Sequence, residues 1–521
     1  MDGHHGVLSG GAASVRRVRS RASTPEETPL PHSRAAFPVI KVMSMKRIES
    51  IRLHQSVRWL PADMDTPISL FLGMVRDGYG ILLESAEVDG RWGRYSVLAC
   101  DMALFLSCRE GCLSLRIEDS RLEPLAALEG MPFVAGLRAV MEALSVEPDP
   151  GAAELPPITR SLCGWFGFGM AGLFEPGLAA ALPPEDAECT LCLPGTLMLF
   201  DHLYNRLAQV SLGAHRPVTA AHAALYEGEA DCAIDEADVA FSPDEAGFKA
   251  MVENIRQMLG RGEAMQAVPS VRFSAPFSGE ALTLYRRMRS LEPSPYMFFM
   301  RLPGITLFGS SPEVMVQCTG GRLLTAPTAG TRPRGCSSAE DEALTAELLA
   351  DERERAGHML LVDLGRSDIG RLSRPGTVEV QKLMAAERFA HVTLLTSRIT
   401  GELKEGLDAV DVLSSSFPAG TVCGVPRIRA AEVTAALEPQ ARGPYAGCIG
   451  WLGLDRDAVH LDTGITMRSM WVREGRLYWQ AGARILHDAD PGQEWEKAVT
   501  RAEIMRRLCS ASGGGYVPAH R

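Results

Sequence analysis

The sequence predicts a mixed chain of strands and helices, with its chemistry held on short strands. Three observations carry that expectation. Between Glu292 and Gly335, short apolar runs alternate with Pro and Gly, which fix or free φ and so set turns. Leu193–Val210 reads as a hairpin around Asp201–Asn205. Helical periodicity appears separately, most plainly after Ser242, where Phe248, Met251, Val252, Ile255, Met258 and Leu259 fall on one face.

Bulk properties narrow the function. The chain has 521 residues, 46% hydrophobic and 22% charged, which suits one to three globular domains. A net charge of −11 gives a nucleic-acid role no electrostatic support, so small molecules held by local basic clusters are expected. No apolar run is long enough to span a membrane. The 12 cysteines are scattered, and Cys189 and Cys192, the one C-x-x-C pair, read as buried reduced thiols of a cytoplasmic protein.

Residues 1–45 are rich in Gly, Ser, Ala, Pro and Arg, with no apolar core of a signal peptide, and are expected to be a disordered extension. A first region follows at 46–226. Ile81–Ser85 and Arg91–Leu98 read as strands, and Pro132–Leu144 as a helix with Phe133, Leu137 and Val140 on one face. The acidic run Glu227–Asp238 reads as a linker. A second region, 243–510, opens with Ser242 and Glu245 spaced as a capping box. Met265–Phe273 reads as a strand that Pro269 places at an edge or bulge, and it carries the uncharged polar Gln266.

The Glu292–Gly335 stretch then concentrates anion-binding parts: Gly330 for close backbone approach, Thr331 for a hydroxyl, and Arg332 and Arg334 around Pro333. Glu313 is either a general acid/base or half of a structural ion pair. Ser337–Arg371 reads as a long helical region, with Glu354 and Gly357 on one face. Phe417–Arg429 is rich in Gly and Pro. Arg468 ends Ile465–Ser469, and Ala481-Gly482-Ala483-Arg484 lies within a strand-like run. The last helix starts at Asp490-Pro491, with Glu494 and Lys497 as an inward pair.

Together these segments resemble the chorismate-utilising enzymes, and among them most resemble component I of anthranilate synthase. The likeness is dense over 245–508 and rests on Ser-Pro-Glu at 311–313, Pro-Thr-Ala-Gly-Thr at 327–331 and the Gly-Pro-Tyr-Ala-Gly run at 443–447. It is thinner over 46–226, carried by Leu82-Leu83-Glu84-Ser85 and Arg91-Trp92-Gly93-Arg94-Tyr95-Ser96. The resemblance implies an α+β fold of two packed antiparallel β-sheets surrounded by helices, with the site in a cleft between them. It implies a lyase that turns chorismate and ammonia into anthranilate and pyruvate in tryptophan biosynthesis. The ammonia would come from solution or from a separate glutamine amidotransferase subunit.

By the same resemblance, Glu313 is the acid/base, with Gln266 and Thr421 in the catalytic group. Gln266 stands where water-using members carry a Lys base, which favours amination. Ala329 stands where aminodeoxychorismate synthases often place a nucleophilic Lys. Gly330, Thr331, Tyr445, Arg468, Gly482, Ala483 and Arg484 would line the chorismate site. Ser85, Pro295, Tyr296 and Met297 would hold feedback tryptophan.

The resemblance also implies Mg²⁺ held by Glu-x-x-Glu on two helices, but here the pairs read Glu354–Gly357 and Glu494–Lys497. Magnesium is usually bound through one or two carboxylates plus waters, so Glu354 and Glu494 remain as candidates. Lys497, a compact charge, is expected to take the metal position. Leu394 stands in place of a His on the pyruvate-leaving side, with His391 three residues earlier, and Arg484 replaces a Gly. These departures keep two alternatives open: a synthase stopping at aminodeoxyisochorismate, and a non-catalytic regulatory homologue.

Overall fold

Alternation along Tyr296–Leu302 sets the layers. Phe298, Met300 and Leu302 join one hydrophobic core, while Met297 and Phe299 join another. Successive strand residues point to opposite faces, so this strand lies between two apolar layers. Ile305–Ser311 repeats the pattern, with Leu307 in the first core and Phe308 in the second.

The computed structural model describes residues 48–86, 93–152, 154–221, 232, 234–388 and 392–509. The expected extension at 1–45, Arg91, Trp92, the linker residues Glu227, Glu229 and Asp231, and His391 lie outside the described residues. The described residues belong to one compact unit that begins at Ile48.

A first antiparallel sheet runs, in pairing order, through Ser270–Pro276, Arg476–Gly482, Ser469–Arg473, Ile305–Ser311, Tyr296–Leu302, Gly80–Glu84 and Tyr95–Arg109. A second runs through Ser161–Phe166, Cys448–Gly453, Leu461–Ile465, Val314–Thr319, Arg322–Thr325 and Val392–Glu402. The two sheets are joined where Tyr95–Arg109 pairs with Cys189–Asp201, which pairs in turn with Ser161–Phe166, and the long ladder shifts register between Met102 and Leu104. The first core includes strands of both sheets. The second is closed by Glu245–Gly260, Ala281–Leu291 and Pro491–Leu508, which contribute Phe248, Tyr285 and Ala498. This is the expected α+β arrangement of antiparallel sheets packed together among helices.

Local details differ from expectation. Ser242 is the last residue of Ala240–Ser242, paired with Arg272, so its backbone serves the sheet. The cap falls to Asp244, whose side chain accepts from the Gly247 amide at 2.8 Å. The long region after Ser337 is two helices, Ser338–Ala350 and Glu352–Leu372, parted at Asp351, which caps the second. Tyr95–Arg109 outruns the expected strand because it is buried on both faces, which hides its period of two. Cys189 and Cys192 are free buried thiols, as expected, and burial pushes both well above their usual range. Among the described residues no helix is long and apolar enough to cross a membrane.

Candidate active site

Two short links carry the chain directly from a strand of one sheet to a strand of the other, and the candidate site is built there. Ile305–Ser311 lies in the first sheet and Val314–Thr319 in the second, with Pro312 and Glu313 as the link. Leu461–Ile465 returns to Ser469–Arg473 through Thr466–Arg468, where Arg468 takes a left-handed φ of 45°. The links lie side by side: the Ile465 amide donates to the Glu313 carbonyl at 3.0 Å, and the Ser310 amide to that of Arg468 at 3.1 Å.

Glu313 is only 5% exposed. Burial pushes its carboxyl up to about 8, against opposing pulls from Thr421 and Thr328 that favour the ionised form. No cation among the described residues pairs with it, so the ion-pair alternative is not what the fold builds. At neutral pH Glu313 therefore carries a proton it can donate. Beside it lies a cavity of about 40 Å³, lined by Thr421, Gly420, Pro327, Asp368 and Ile465 among others. Asp368 is held by Arg427 at 3.0 Å.

Two polar groups singled out from the sequence lack well-formed hydrogen bonds. Gln266 is fully buried, and among the described residues neither Oε1 nor Nε2 has a hydrogen-bond partner. Thr421 Oγ1 lies near the Glu313 carboxyl without a well-directed bond. Buried polar atoms normally find a partner, so these are positioned for something the fold does not supply. Gln266 pairs with Val425, and Gly424 stands beside it with φ 126°, where a Cβ would fall 2.3 Å from the Gln266 carbonyl. Here the glycine serves approach of backbone to backbone.

The cationic side is built on the end of Arg476–Gly482. A Cβ on Gly482 would stand 2.8 Å from the Pro269 carbonyl and 3.0 Å from the Tyr445 hydroxyl, so only glycine fits. The Ala483 amide donates to the Pro269 carbonyl at 3.1 Å and Ala483 is fully buried. Arg501, from the last helix, donates to the Gly482 carbonyl at 2.7 Å. Burial lowers its pKa, and Arg484 and Arg468 lower it further, which places the three guanidinium groups in one neighbourhood. Arg468 is itself held by Glu292 at 3.1 Å.

Glu354 meets Arg484 at 3.4 Å and Glu494 meets Lys497 at 2.6 Å. Glu494 is buried, but half of the Lys497 side chain faces solvent, so the expected inward pair is inward at one end only. Among the described residues no group of three or more His, Cys, Asp or Glu side chains is placed to hold a metal. Two carboxylates, each already beside a fixed cation, are a poor donor set for Mg²⁺, which needs near-octahedral oxygen ligands.

Gly330, with φ 73°, packs so that a Cβ would lie 3.5 Å from Glu354 Cβ. Its neighbour Thr331 pairs with Leu394, which is buried and apolar. Arg332 and Arg334 do not join the site. Arg332 is taken by Glu347 and Asp351, and Arg334 by Asp341, all acids of the following helical region. Ser85, Pro295, Tyr296 and Met297 come together: Met297 pairs with Glu84, and the Ala86 amide reaches the Ser294 carbonyl at 3.0 Å. The Tyr296 hydroxyl donates to Asp462 at 2.7 Å, and its ring covers Gly464.

Two groups were not singled out from sequence. Arg501 lies one turn beyond Lys497 on the face that carries Glu494, a spacing that offered a signal. His358 is fully buried, bonds Ser397 Oγ at 2.7 Å through Nε2, and leaves Nδ1 without a partner. Burial and the nearby Arg484 push its pKa down to about 4, so it is neutral.

A buried acid on one link between the sheets, with Arg468 on the link beside it and Arg484 and Arg501 in the neighbourhood of Arg468, suits an enzyme site for a small anionic substrate. The family of chorismate binding enzymes matches residues 132–507, and the chain belongs to that family; it is an enzyme that acts on chorismate. It is 37% identical to anthranilate synthase component 1 of Streptomyces coelicolor, over 85% of this chain and 86% of that one. It is 32% identical to the Acinetobacter calcoaceticus protein of the same name, over 88% and 95%. The crystal structure of anthranilate synthase component I from Streptococcus pneumoniae superposes with a TM-score of 0.66 at 30% identity, covering 80% of this chain and 92% of that one. The menaquinone-specific isochorismate synthase of Escherichia coli shares the fold, with a TM-score of 0.65 at 18% identity over 88% and 96%.

Proposed function

We propose that this chain is the chorismate-converting component of an anthranilate synthase. Chorismate and ammonia give anthranilate, pyruvate and water, which makes the enzyme a lyase of tryptophan biosynthesis, working in the cytoplasm. The observation that carries this reading is Glu313, buried at the crossing of the sheets, where burial pushes its carboxyl up to about 8. Its proton goes to the ring hydroxyl, which leaves as water while ammonia attacks. Gln266 cannot take a proton from water as a lysine would, so it suits ammonia as the nucleophile. Thr421 orients the acid. Tyr445, Arg468, Arg501 and the Gly482–Ala483 backbone hold a carboxylate of the substrate, with Gly330 and Thr331 along the same wall.

The similar proteins are named as component 1, and the partner proposed here is a glutamine amidotransferase subunit that delivers ammonia. The first region, 46–226, carries the regulatory function, and Ser85, Pro295, Tyr296 and Met297 hold feedback tryptophan between the regions. Tyr296 contributes its backbone and ring edge, because its hydroxyl is committed to Asp462.

The test is direct. The purified chain with chorismate and ammonium at mildly alkaline pH is expected to release anthranilate and pyruvate in equal amounts, with tryptophan inhibiting. A stable, chorismate-binding chain that makes neither product would overturn the reading. One observation supports a second reading: Leu394 puts an apolar side chain opposite Thr331, where the resemblance implies a histidine for pyruvate elimination. An aminated product that keeps its enolpyruvyl group would establish that alternative.

A further inference from the structure

Gly357 and Arg484 form a single unit. A Cβ on Gly357 would lie 2.8 Å from Arg484 Nη1 and 3.4 Å from its Cζ, so the guanidinium occupies the space a side chain at 357 would need. Arg484 reaches Glu354, one turn earlier on the same helix, with one nitrogen at 3.4 Å. It is about three-quarters buried, with a side-chain exposure of 24%. A guanidinium has five N–H donors, and this single long contact leaves most of them to bind a ligand. Lys497 is a weaker candidate for the same task, being half exposed and drawn onto Glu494.

We propose that Arg484, seated on Gly357, is a built-in cation that grips one carboxylate of chorismate, so that substrate binding needs no divalent metal. This rests on the proposed function for its ligand. The argument is one of charge and room. A divalent ion at Glu354 would have to displace the guanidinium or sit against it, and like charges at contact are strongly unfavourable at a partly buried site. Glu494 offers no second ligand while Lys497 stays on it at 2.6 Å. An arginine fork meets a carboxylate with two parallel hydrogen bonds, and it does so without waters to strip from a metal. Arg501, in the same neighbourhood, is committed to the Gly482 carbonyl at 2.7 Å, which leaves Arg484 the less engaged of the two guanidinium groups for a carboxylate.

The experiment uses the full chain and calorimetry of chorismate binding, with EDTA or with Mg²⁺, and a separate titration with Mn²⁺ alone. The expected result is chorismate affinity equal within about twofold in the two buffers, and no Mn²⁺ site. Arg484→Gly is expected to weaken chorismate roughly tenfold or more, the loss of a charged hydrogen-bonding group. Gly357→Ala, which pushes on the guanidinium and leaves the charge in place, is expected to weaken it several-fold. The combined Gly357→Glu, Arg484→Gly, Lys497→Glu variant, checked for a cooperative melt, is expected to gain both Mn²⁺ binding and Mg²⁺-dependent affinity. Chorismate binding by the unmodified chain that falls roughly tenfold in EDTA and returns with Mg²⁺ overturns the proposal and leaves the proposed function standing. Failure to bind chorismate in either buffer overturns the proposed function and the role of Arg484 with it.

Discussion

On one side of the site, Gln266 is neutral and fully buried with no side-chain partner among the described residues, and Thr421 offers a hydroxyl engaged only loosely, with Glu313; on the other, Glu354 and Glu494 each already meet a cation. The first side resembles a socket whose contacts are left for a ligand. On the second, each carboxylate already has its cation. The difference follows from cost. A neutral donor left unpaired in the interior costs about 1–3 kcal/mol, which a fold can carry. A buried charge left unpaired costs several times more and is not carried.

The strongest way to break the comparison is Glu313→Gln. If the neutral side does the proton chemistry, turnover is expected to fall roughly 10²- to 10⁴-fold with little change in chorismate affinity, as steady-state kinetics would show. The unmodified enzyme should also lose rate as pH rises through about 8, where Glu313 gives up its proton.

The same residue predicts a stability slope. Its folded pKa of about 8 lies above the ordinary glutamate value of 4.5, so the unfolded chain ionises first as pH rises. Its favourable share of stability is complete below about 4.5 and is lost as pH climbs to about 8. Denaturant melts at pH 5 and 8 should differ more for the unmodified chain than for Glu313→Gln, by a few kcal/mol in order of magnitude. Equal slopes would show that Glu313 is not the titrating group.

Gln266→Met sharpens the contrast at smaller scale. Replacing an amide that has no partner with an apolar side chain of similar length is expected to raise stability by roughly 1–3 kcal/mol while slowing turnover. A loss of stability would mean that the amide is satisfied in solution. The smallest effect belongs to the charged side. Glu354→Gln weakens a long, partly exposed contact and should change stability by no more than about 1 kcal/mol.

The parts of the candidate site that lie in consecutive residues were the ones legible in the sequence. Glu313, Tyr445, Arg468 and Gly482 were singled out through the resemblance of short consecutive segments, and the links that carry Glu313 and Arg468 lie side by side while the Tyr445 hydroxyl stands against Gly482. Arg332 and Arg334 misled because arginines beside a glycine and a threonine look like an anion site. Their partners Glu347, Asp351 and Asp341 come from helices whose packing a linear reading does not show. Arg501 and the seating of Arg484 on Gly357 depend on which helix meets which strand end, a property of tertiary register. The α+β class was legible through the resemblance, while the length of Tyr95–Arg109 was hidden because burial on both faces erases alternation.

The ladders that join Gly80–Glu84 to Tyr296–Leu302, and Ser161–Phe166 to Cys448–Gly453, run between residues far apart in the sequence. Each half of the chain, made alone, would display bare strand edges cut to fit the other, and bare edges invite aggregation. A gene split between the halves should therefore yield insoluble pieces when they are expressed singly, and a working enzyme when they are made together in one cell.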